Sequence, residues 1–496
     1  MGSARHSIDP RTPVLVGVGQ HLNRDEPGRE PVDLMVEAVR LAVEDTGANG
    51  VLPAVDTIAV VPTFSWRYRD PGRLVAERSG AGEVRTWYAT VGGNTPQLLV
   101  NRMALAIGEG TVEVGIVCGG EASRSRRRAK ASGQDVAWTR QGEDVAPDWL
   151  DETPFVMSHP AEVARGIVMP TQVYPLFETA LWHDSGRTLE EHLRHVGELW
   201  AGFSRVAAKN PHAWIQEEYT AAEITTPSAE NRLVGFPYTK RMVSNPDVDM
   251  SSALVMCSYG RARELGVPAD RLVFLHAGTD GVDRTVSERP DHVSSAAIRI
   301  AGARALELAG VRVDEVEHLD LYSCFPSAVQ VAMRELGVAA DRQLTVYGGL
   351  SFAGGPWNNP VGHAIASMVD VLRADPGSRG LVTANGGHID KHAFGVYSTE
   401  PPAAGYRWEK PQDEIDSATE PVPVEADHVG GATIESWTVM HDRDGRPERA
   451  HAACRTPEGA RTWAVSDDPD VLAALLAGDP IGTPVTIGDG GTLHLG

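Results

Sequence analysis

Cysteine is scarce in this 496-residue chain: Cys118, Cys257, Cys324 and Cys454, with no Cys-x-x-Cys spacing. That excludes a disulfide-built scaffold and fits a reducing, cytoplasmic compartment. Positive charge is also short, with 45 Lys and Arg against 67 Asp and Glu and a formal charge of −22. A phosphate backbone needs a cationic surface, so nucleic acid is not an expected partner. No apolar run approaches the length of a membrane span, and no membrane association is expected. Residues 1–10 are polar and lack the apolar centre of a signal peptide. His6 stands where a myristoylation pattern needs Ser or Thr.

Several catalytic signatures are missing too. No Gly-Lys-Ser/Thr closes a Gly-rich run, so there is no P-loop. Gly17-Val18-Gly19 follows an apolar stretch, but the third glycine of a dinucleotide fingerprint falls on Leu22. Gly349-Leu350-Ser351-Phe352 ends on Ala353, which breaks the nucleophile elbow. His388 and His392 have i, i+4 spacing, but they follow Gly386-Gly387 rather than opening a long helix. No metal is expected there.

What is present is the composition of an ordinary globular protein, 42% apolar and 23% charged, at a length that implies two or three domains. Helix-like and strand-like stretches alternate, the mark of an α/β protein. They also repeat. A helical stretch at 34–43 stops at Gly47, and one at 296–308 stops at Gly310. Strands at 57–61 and 318–322 lead to Phe64 and Phe325. The pairs Gly92-Gly93 and Gly354-Gly355, then Gly119-Gly120 and Gly386-Gly387, each stand about 260 residues apart. Landmarks in constant register point to duplication.

The domain expectation follows. Residues 1–245 form the first half, with a loop domain inserted at about 122–243, and residues 246–405 form the second. Five prolines between 401 and 423 mark a linker. Strand-like segments at 433–441, 450–455, 461–465 and 484–487, with one helix at 471–476, predict a small β-barrel over 406–496.

The Gly-pair loops carry a family resemblance. Two tandem α/β units with a loop domain inserted in the first resemble the thiolase superfamily over about residues 12–400. Asn245-Pro246-Asp247-Val248-Asp249-Met250-Ser251-Ser252-Ala253 is similar to the thiolase stretch ending in Asp-Gly-Ala-Ala-Ala, and Leu321-Tyr322-Ser323-Cys324-Phe325 to its His-Asp-Cys-Phe or Asn-Glu-Ala-Phe motif. With its extra C-terminal barrel, the chain is most similar to the thiolase-like protein type 1 group, which is acetyl-CoA acetyltransferase-like. The resemblance implies two βαβαβαββ-type halves in an α/β/α/β/α arrangement, an OB-like barrel, a role in lipid metabolism, and a monomer or homodimer.

The resemblance also implies which slots have changed. A thiolase acylates a Cys at the start of the helix after its first Gly-pair loop. Here that slot is Gly93, or Asn94 if the gap moves. The activating His of the Gly-His-Pro loop falls on Gly355, and the acid/base Cys falls on Asn385. Tyr322 and Ser323 replace the fourth motif. Loss of nucleophile and base removes the acyl-enzyme route, so no thiolytic activity is expected.

Tyr322, Ser323, His363, Asn385, His388 and His392 remain as polar groups on or near loops after second-half strands, where α/β proteins gather ligands. Each is a candidate for non-covalent proton transfer or carbonyl polarisation; each also has a structural role open to it as a core, turn or surface residue. Cys324 sits at a position that is structural in the relatives. Arg126, Arg127 and Arg128 lie in a basic stretch that reads as a solvated turn or as a clamp for the phosphates of CoA. No bound cofactor is expected, with CoA or an acyl-CoA as the possible ligand. Two functions follow: a non-covalent acyl-CoA enzyme such as a retro-aldol lyase, or a non-catalytic acyl-CoA-binding or interaction protein.

Overall fold

A computed structural model describes residues 8–154 and 156–495. The reading of His6 lies outside them. Strands β1 (Pro13–Leu22), β2 (Thr57–Val60), β3 (Arg85–Tyr88), β4 (Val114–Ala122), β5 (Trp149–Leu150), β6 (Leu233–Gly235), β7 (Tyr238–Thr239), β8 (Asp249–Ser258) and β9 (Val273–Val282) come first. Strands β10 (His318–Asp320), β11 (Arg379–Gly386), β12 (Lys391–Ser398), β13 (Arg407–Glu409), β14 (Gly430–His441), β15 (Pro447–Arg455), β16 (Arg461–Ser466), β17 (Pro484–Ile487) and β18 (Leu493–Leu495) follow.

One large sheet runs β10-β11-β12-β9-β1-β8-β4-β2-β3-β5. Its two halves meet where Val14 and Leu15 of β1 pair with Phe274 and Val273 of β9. Outward from that seam the first half runs β1, β8, β4, β2 and the second β9, β12, β11, β10, which is one order once the second half's missing third strand is counted. The last strand, β8 or β12, runs antiparallel to both neighbours. The duplication read from glycine spacing is therefore the topology of the sheet. In the second half, residues near Leu344, which accepts the Leu321 N–H, take the place next to β10 without forming a strand.

Two helices lie between the halves. Thr95–Glu109 touches β4 and β8 of its own half and β9, β11 and β12 of the other. Pro360–Ala374 touches β10 and β11, and also β1 and β8. Pro31–Asp45 and Ala296–Ala309 cover the outer faces, giving the α/β/α/β/α layering. Being enclosed on every side forces the central helices to satisfy their own polar groups. Gln97 accepts from the Tyr397 hydroxyl at 2.7 Å and donates to Asn101 at 2.9 Å; Asn101 donates to Asp280 at 3.0 Å. Among the described residues no helix is long and apolar enough to cross a membrane.

The C-terminal strands form a second, curled antiparallel sheet, β16-β15-β14-β17-β18, joined by β6 and β7 from the inserted segment. Three expectations need adjusting. β8 (Asp249–Ser258), placed by sequence in the second half, is the last strand of the first, paired with β1 and β4. Residues 407–409, placed by sequence in the C-terminal unit, form β13 and pair in parallel with β9 of the large sheet, with the Trp408 indole donating to Asp280 at 3.1 Å. The insertion is not self-contained, because β6 pairs with β14.

Arg461, fully buried, fastens the second sheet to the first. Its Nη1 donates to the carbonyls of Val286, Ser287 and Arg289 at 2.9, 2.8 and 2.7 Å, while Nε and Nη2 reach the Glu435 carboxylate at 2.7 and 2.6 Å. Burial opposes ionisation of Glu435, but hydrogen bonds and positive charge from Arg461, with His292 and Arg455, hold its pKa down at about 2 instead of the ordinary 4.5. A depressed carboxylate pKa stabilises the fold above the unfolded value, and that stabilisation is lost as pH falls through the folded one. Glu435→Gln should cost on the order of 3 kcal/mol at neutral pH, the scale of breaking a buried pair. In denaturant unfolding, the gap between variant and parent should close between pH 4.5 and 2; a gap independent of pH would contradict this reading.

Candidate functional site

The loop Gly92-Gly93 closes the approach to the central helix Thr95–Glu109. Tyr322 follows β10 and is fixed by its backbone N–H, which donates to Thr383 Oγ1 at 2.9 Å. Its side chain crosses to the other half. A Cβ added at Gly93 would stand 2.2 Å from the Tyr322 hydroxyl and 2.4 Å from the Asn385 carbonyl oxygen. No side chain fits there without displacing one of the two. Among the described residues the Tyr322 hydroxyl has no hydrogen-bond partner. Burial raises its pKa well above the ordinary 10, so it stays protonated and acts as a donor.

Asn385 lies on β11 beside it. Its Nδ2 donates to the Tyr174 hydroxyl at 3.0 Å, and its buried Oδ1 has no partner. Tyr174, from the inserted helix Pro170–Ser185, donates in turn to the Gly387 carbonyl at 3.1 Å and stacks on Phe325 with ring centroids 4.5 Å apart. His388 meets the Tyr174 ring edge-on, and neither of its ring nitrogens has a partner. Burial, with the Arg289 charge, lowers its pKa to about 3, leaving a neutral imidazole. The turn after it is strained: Ile389, β-branched, has φ of +61°, and the Arg289 guanidinium holds its carbonyl. His392 shares that carbonyl at 3.0 Å. The two histidines therefore belong to a tight hairpin and not to one helical face.

Gly355 is likewise packed against a hydroxyl. A Cβ on Gly355 would stand 2.1 Å from Ser244 Oγ. Ser323 is buried, its Oγ against Gly349. His363 does not join this group: its Nδ1 bonds Gln20 Oε1 at 2.9 Å and its ring stacks on Tyr347. Gln20 in turn donates to Ser367, which lines a different cavity, of about 780 Å³, beside helix Leu189–Lys209. Around Tyr322, Asn385, Ile389 and His392 the open space is about 10 Å³.

The arginines separate as well. Arg127 forms a bidentate pair with Asp247 at 2.6 and 2.7 Å. Arg126 donates to the carbonyls of Phe64 and Ser65, and Arg128 is exposed. Sequence reasoning missed Tyr174, Ser244 and Lys391, whose Nζ lies 3.4 Å from the Val91 carbonyl beside the Gly-pair loop. The aromatic run Tyr174, Phe177 and Trp182 within the insertion could have flagged Tyr174; nothing local marks Ser244.

Relatives place this geometry. The thiolase-like protein type 1 additional C-terminal domain matches residues 412–492. A monomeric SCP2-thiolase-like protein type 1 from Mycobacterium smegmatis is 32% identical with a TM-score of 0.85, covering 99% of this chain and all of that one. The chain belongs to the thiolase-like protein type 1 family. A curated relative of this thiolase-like protein, a steroid side-chain-cleaving aldolase from Thermomonospora curvata, is 26% identical over 340 residues, 67% of this chain and 80% of that protein. The dimeric peroxisomal thiolase of Saccharomyces cerevisiae, 14% identical with a TM-score of 0.58 over 79% of this chain and 98% of its own, shares the fold.

The steric argument at Gly93 gives a direct test. Gly93→Ala should destabilise this thiolase-like protein by about 1–3 kcal/mol, the usual cost of overpacking. Tyr322→Ala carries its own cavity cost, but in the double variant the combined loss should be less than the sum of the separate ones, because the new methyl and the phenol compete for one space. Equilibrium denaturation of Gly93→Ala, Tyr322→Ala and the double variant measures this; a Gly93→Ala protein as stable as its parent would contradict the geometry.

Proposed function

We propose that this protein acts on acyl-CoA thioesters without a covalent intermediate, as a retro-aldol lyase of β-hydroxyacyl-CoA. The observation that carries the reading is the buried Tyr322 hydroxyl, unpartnered among the described residues and packed against Gly93, the position that the family resemblance matches to the thiolase nucleophile. On this reading Gly93, Gly355 and Asn385 are vacated thiolase positions. The four thiols offer no replacement, since burial pushes each up to about 12. The aldolase relative supports the reaction class.

In the proposed step a base takes the β-hydroxyl proton, the Cα–Cβ bond breaks, and its electrons pass to the thioester as an enolate that is then protonated at Cα. Tyr322 donates to the thioester oxygen, where charge develops. A neutral imidazole serves as base, and His388, edge-on to the Tyr174 ring, is assigned that role. Asn385, with Oδ1 unpaired, and Ser323 position the thioester. The C-terminal sheet serves as an OB-like partner fused in cis, anchored through Arg461.

The roughly 10 Å³ of space beside Tyr322 favours a second reading, a non-catalytic acyl-CoA binder. Incubation with a panel of β-hydroxyacyl-CoAs separates the two. A lyase releases a carbonyl product and a shortened acyl-CoA, and Tyr322→Phe lowers kcat about a hundredfold, as loss of one oxyanion donor does. Its stability should be unchanged, because the hydroxyl bonds nothing. Equal turnover by Tyr322→Phe would remove Tyr322 from the mechanism, and binding without turnover across the panel would select the second reading.

A further inference from the structure

The two halves of the large sheet differ at one edge. In the first half β3 lies beside β2 and takes β5 along its other side, both pairings parallel. In the second half the matching place beside β10 belongs to residues 343–345, which form no strand. One backbone bond holds them there, from the Leu321 N–H to the Leu344 carbonyl at 2.9 Å. Asp320 then takes the N–H groups of Val346 and Tyr347, both at 3.0 Å. Among the described residues the backbone N–H groups of Gln343, Leu344 and Thr345 have no acceptor. Leu344 and Thr345 are buried, and buried N–H groups left unpaired are rare in folded proteins. The Thr345 carbonyl is capped only by the Gln343 side chain, at 3.0 Å.

The same three residues line the cavity of about 780 Å³ beside helix Leu189–Lys209. On that helix Leu199, Phe203 and Val206 give the cavity an apolar wall, with Gly202 among them. A Cβ on Gly202 would come no nearer than 3.8 Å to a neighbour, whereas one on Gly197 would meet Thr225 at 2.8 Å. Packing therefore requires glycine at 197 and not at 202. A glycine inside a helix lowers its stability, and at 202 it leaves the cavity wider. Charges of both signs also face the space: Glu198, Arg205 and Lys209 from the helix, Asp341 and Arg342 from the other wall. Among the described residues none of these five makes an ion pair within 4 Å.

We propose that this cavity is a docking groove for an extended segment of a partner polypeptide, which adds to residues 343–345 as β5 adds to β3. Strand addition supplies carbonyls for the unpaired N–H groups, while pockets take alternate side chains. The unpaired charges set the partner's pattern. Glu198 precedes Arg205 and Lys209 by seven and eleven positions, about 10–16 Å along the helix at about 1.5 Å per residue. An extended segment lying along the helix covers that length in about three to five residues. The partner therefore presents a basic side chain to Glu198 and an acidic one to Arg205 and Lys209 at that spacing, with an apolar residue over Gly202 between them. The groove does not depend on the acyl-CoA reading.

Affinity selection from a random hexapeptide library on the full chain, followed by fluorescence anisotropy of the selected peptides, tests it. Enriched peptides should carry a basic and an acidic residue at that spacing. They should bind Gly202→Trp, which fills the groove, and Lys209→Glu, at an exposed position, at least about tenfold more weakly than the parent. Replacing the peptide's acidic residue with lysine should restore binding to Lys209→Glu. If Gly202→Trp fails to fold, Lys209→Glu and its rescue decide the matter. A saturating peptide should also slow amide hydrogen exchange at Gln343, Leu344 and Thr345 at least about tenfold. No enriched peptide, equal affinity for the parent and both variants, or unchanged exchange at 343–345 would each overturn the proposal. Dodecanoate bound in a Gly202→Trp-sensitive manner, with no peptide bound, would make the cavity an amphipath site and overturn it as well.

Discussion

Everything at the centre of this protein depends on one exclusion of volume. The Tyr322 hydroxyl and the Asn385 carbonyl occupy the space that any side chain at position 93 would need. Glycine there lets β10 and β11 of one half close against the Gly-pair loop of the other. The same exclusion places a phenol across the seam between the halves, against the loop that opens the buried helix Thr95–Glu109. At Gly355 the relation recurs with Ser244. Both glycines are thus required by hydroxyl groups packed against them, which gives a positive reason for residues that sequence presented as losses.

Burial then sets the chemistry. The phenol is held protonated, the imidazoles of His388 and His392 are held neutral, and the four thiols are held unreactive. Such a set can donate and accept protons but offers no low-pKa nucleophile. The strained turn at Ile389 is kept in place by Arg289, whose own carbonyl is bound by Arg461 of the C-terminal sheet. The added sheet is therefore in hydrogen-bonded series with the hairpin that carries His388.

The duplication was legible in the sequence because glycine and proline landmarks mark turns, and turns repeat when topology repeats. Gly93 and Tyr322 could each be placed in their own motif. That they touch could not be read, because 229 positions separate them and no local pattern records a contact across the seam. Ser244 and Tyr174 were missed for the same reason. The sequence groups His363 with Tyr322 because it lies just past the Gly354-Gly355-Pro356 loop; its helix turns it toward Gln20 instead. Residues 407–409 read as linker because their pairing with β9 is parallel and far along the chain, with nothing nearby to show the partner.

On the proposed function this thiolase fold handles thioesters without ever being acylated. Intact-mass spectrometry after incubation with acetyl-CoA, acetoacetyl-CoA and longer acyl-CoAs tests that most directly. The protein mass should stay unchanged at every time point. A mass increase equal to one acyl group, mapped to Cys324 or to any other side chain, would contradict it.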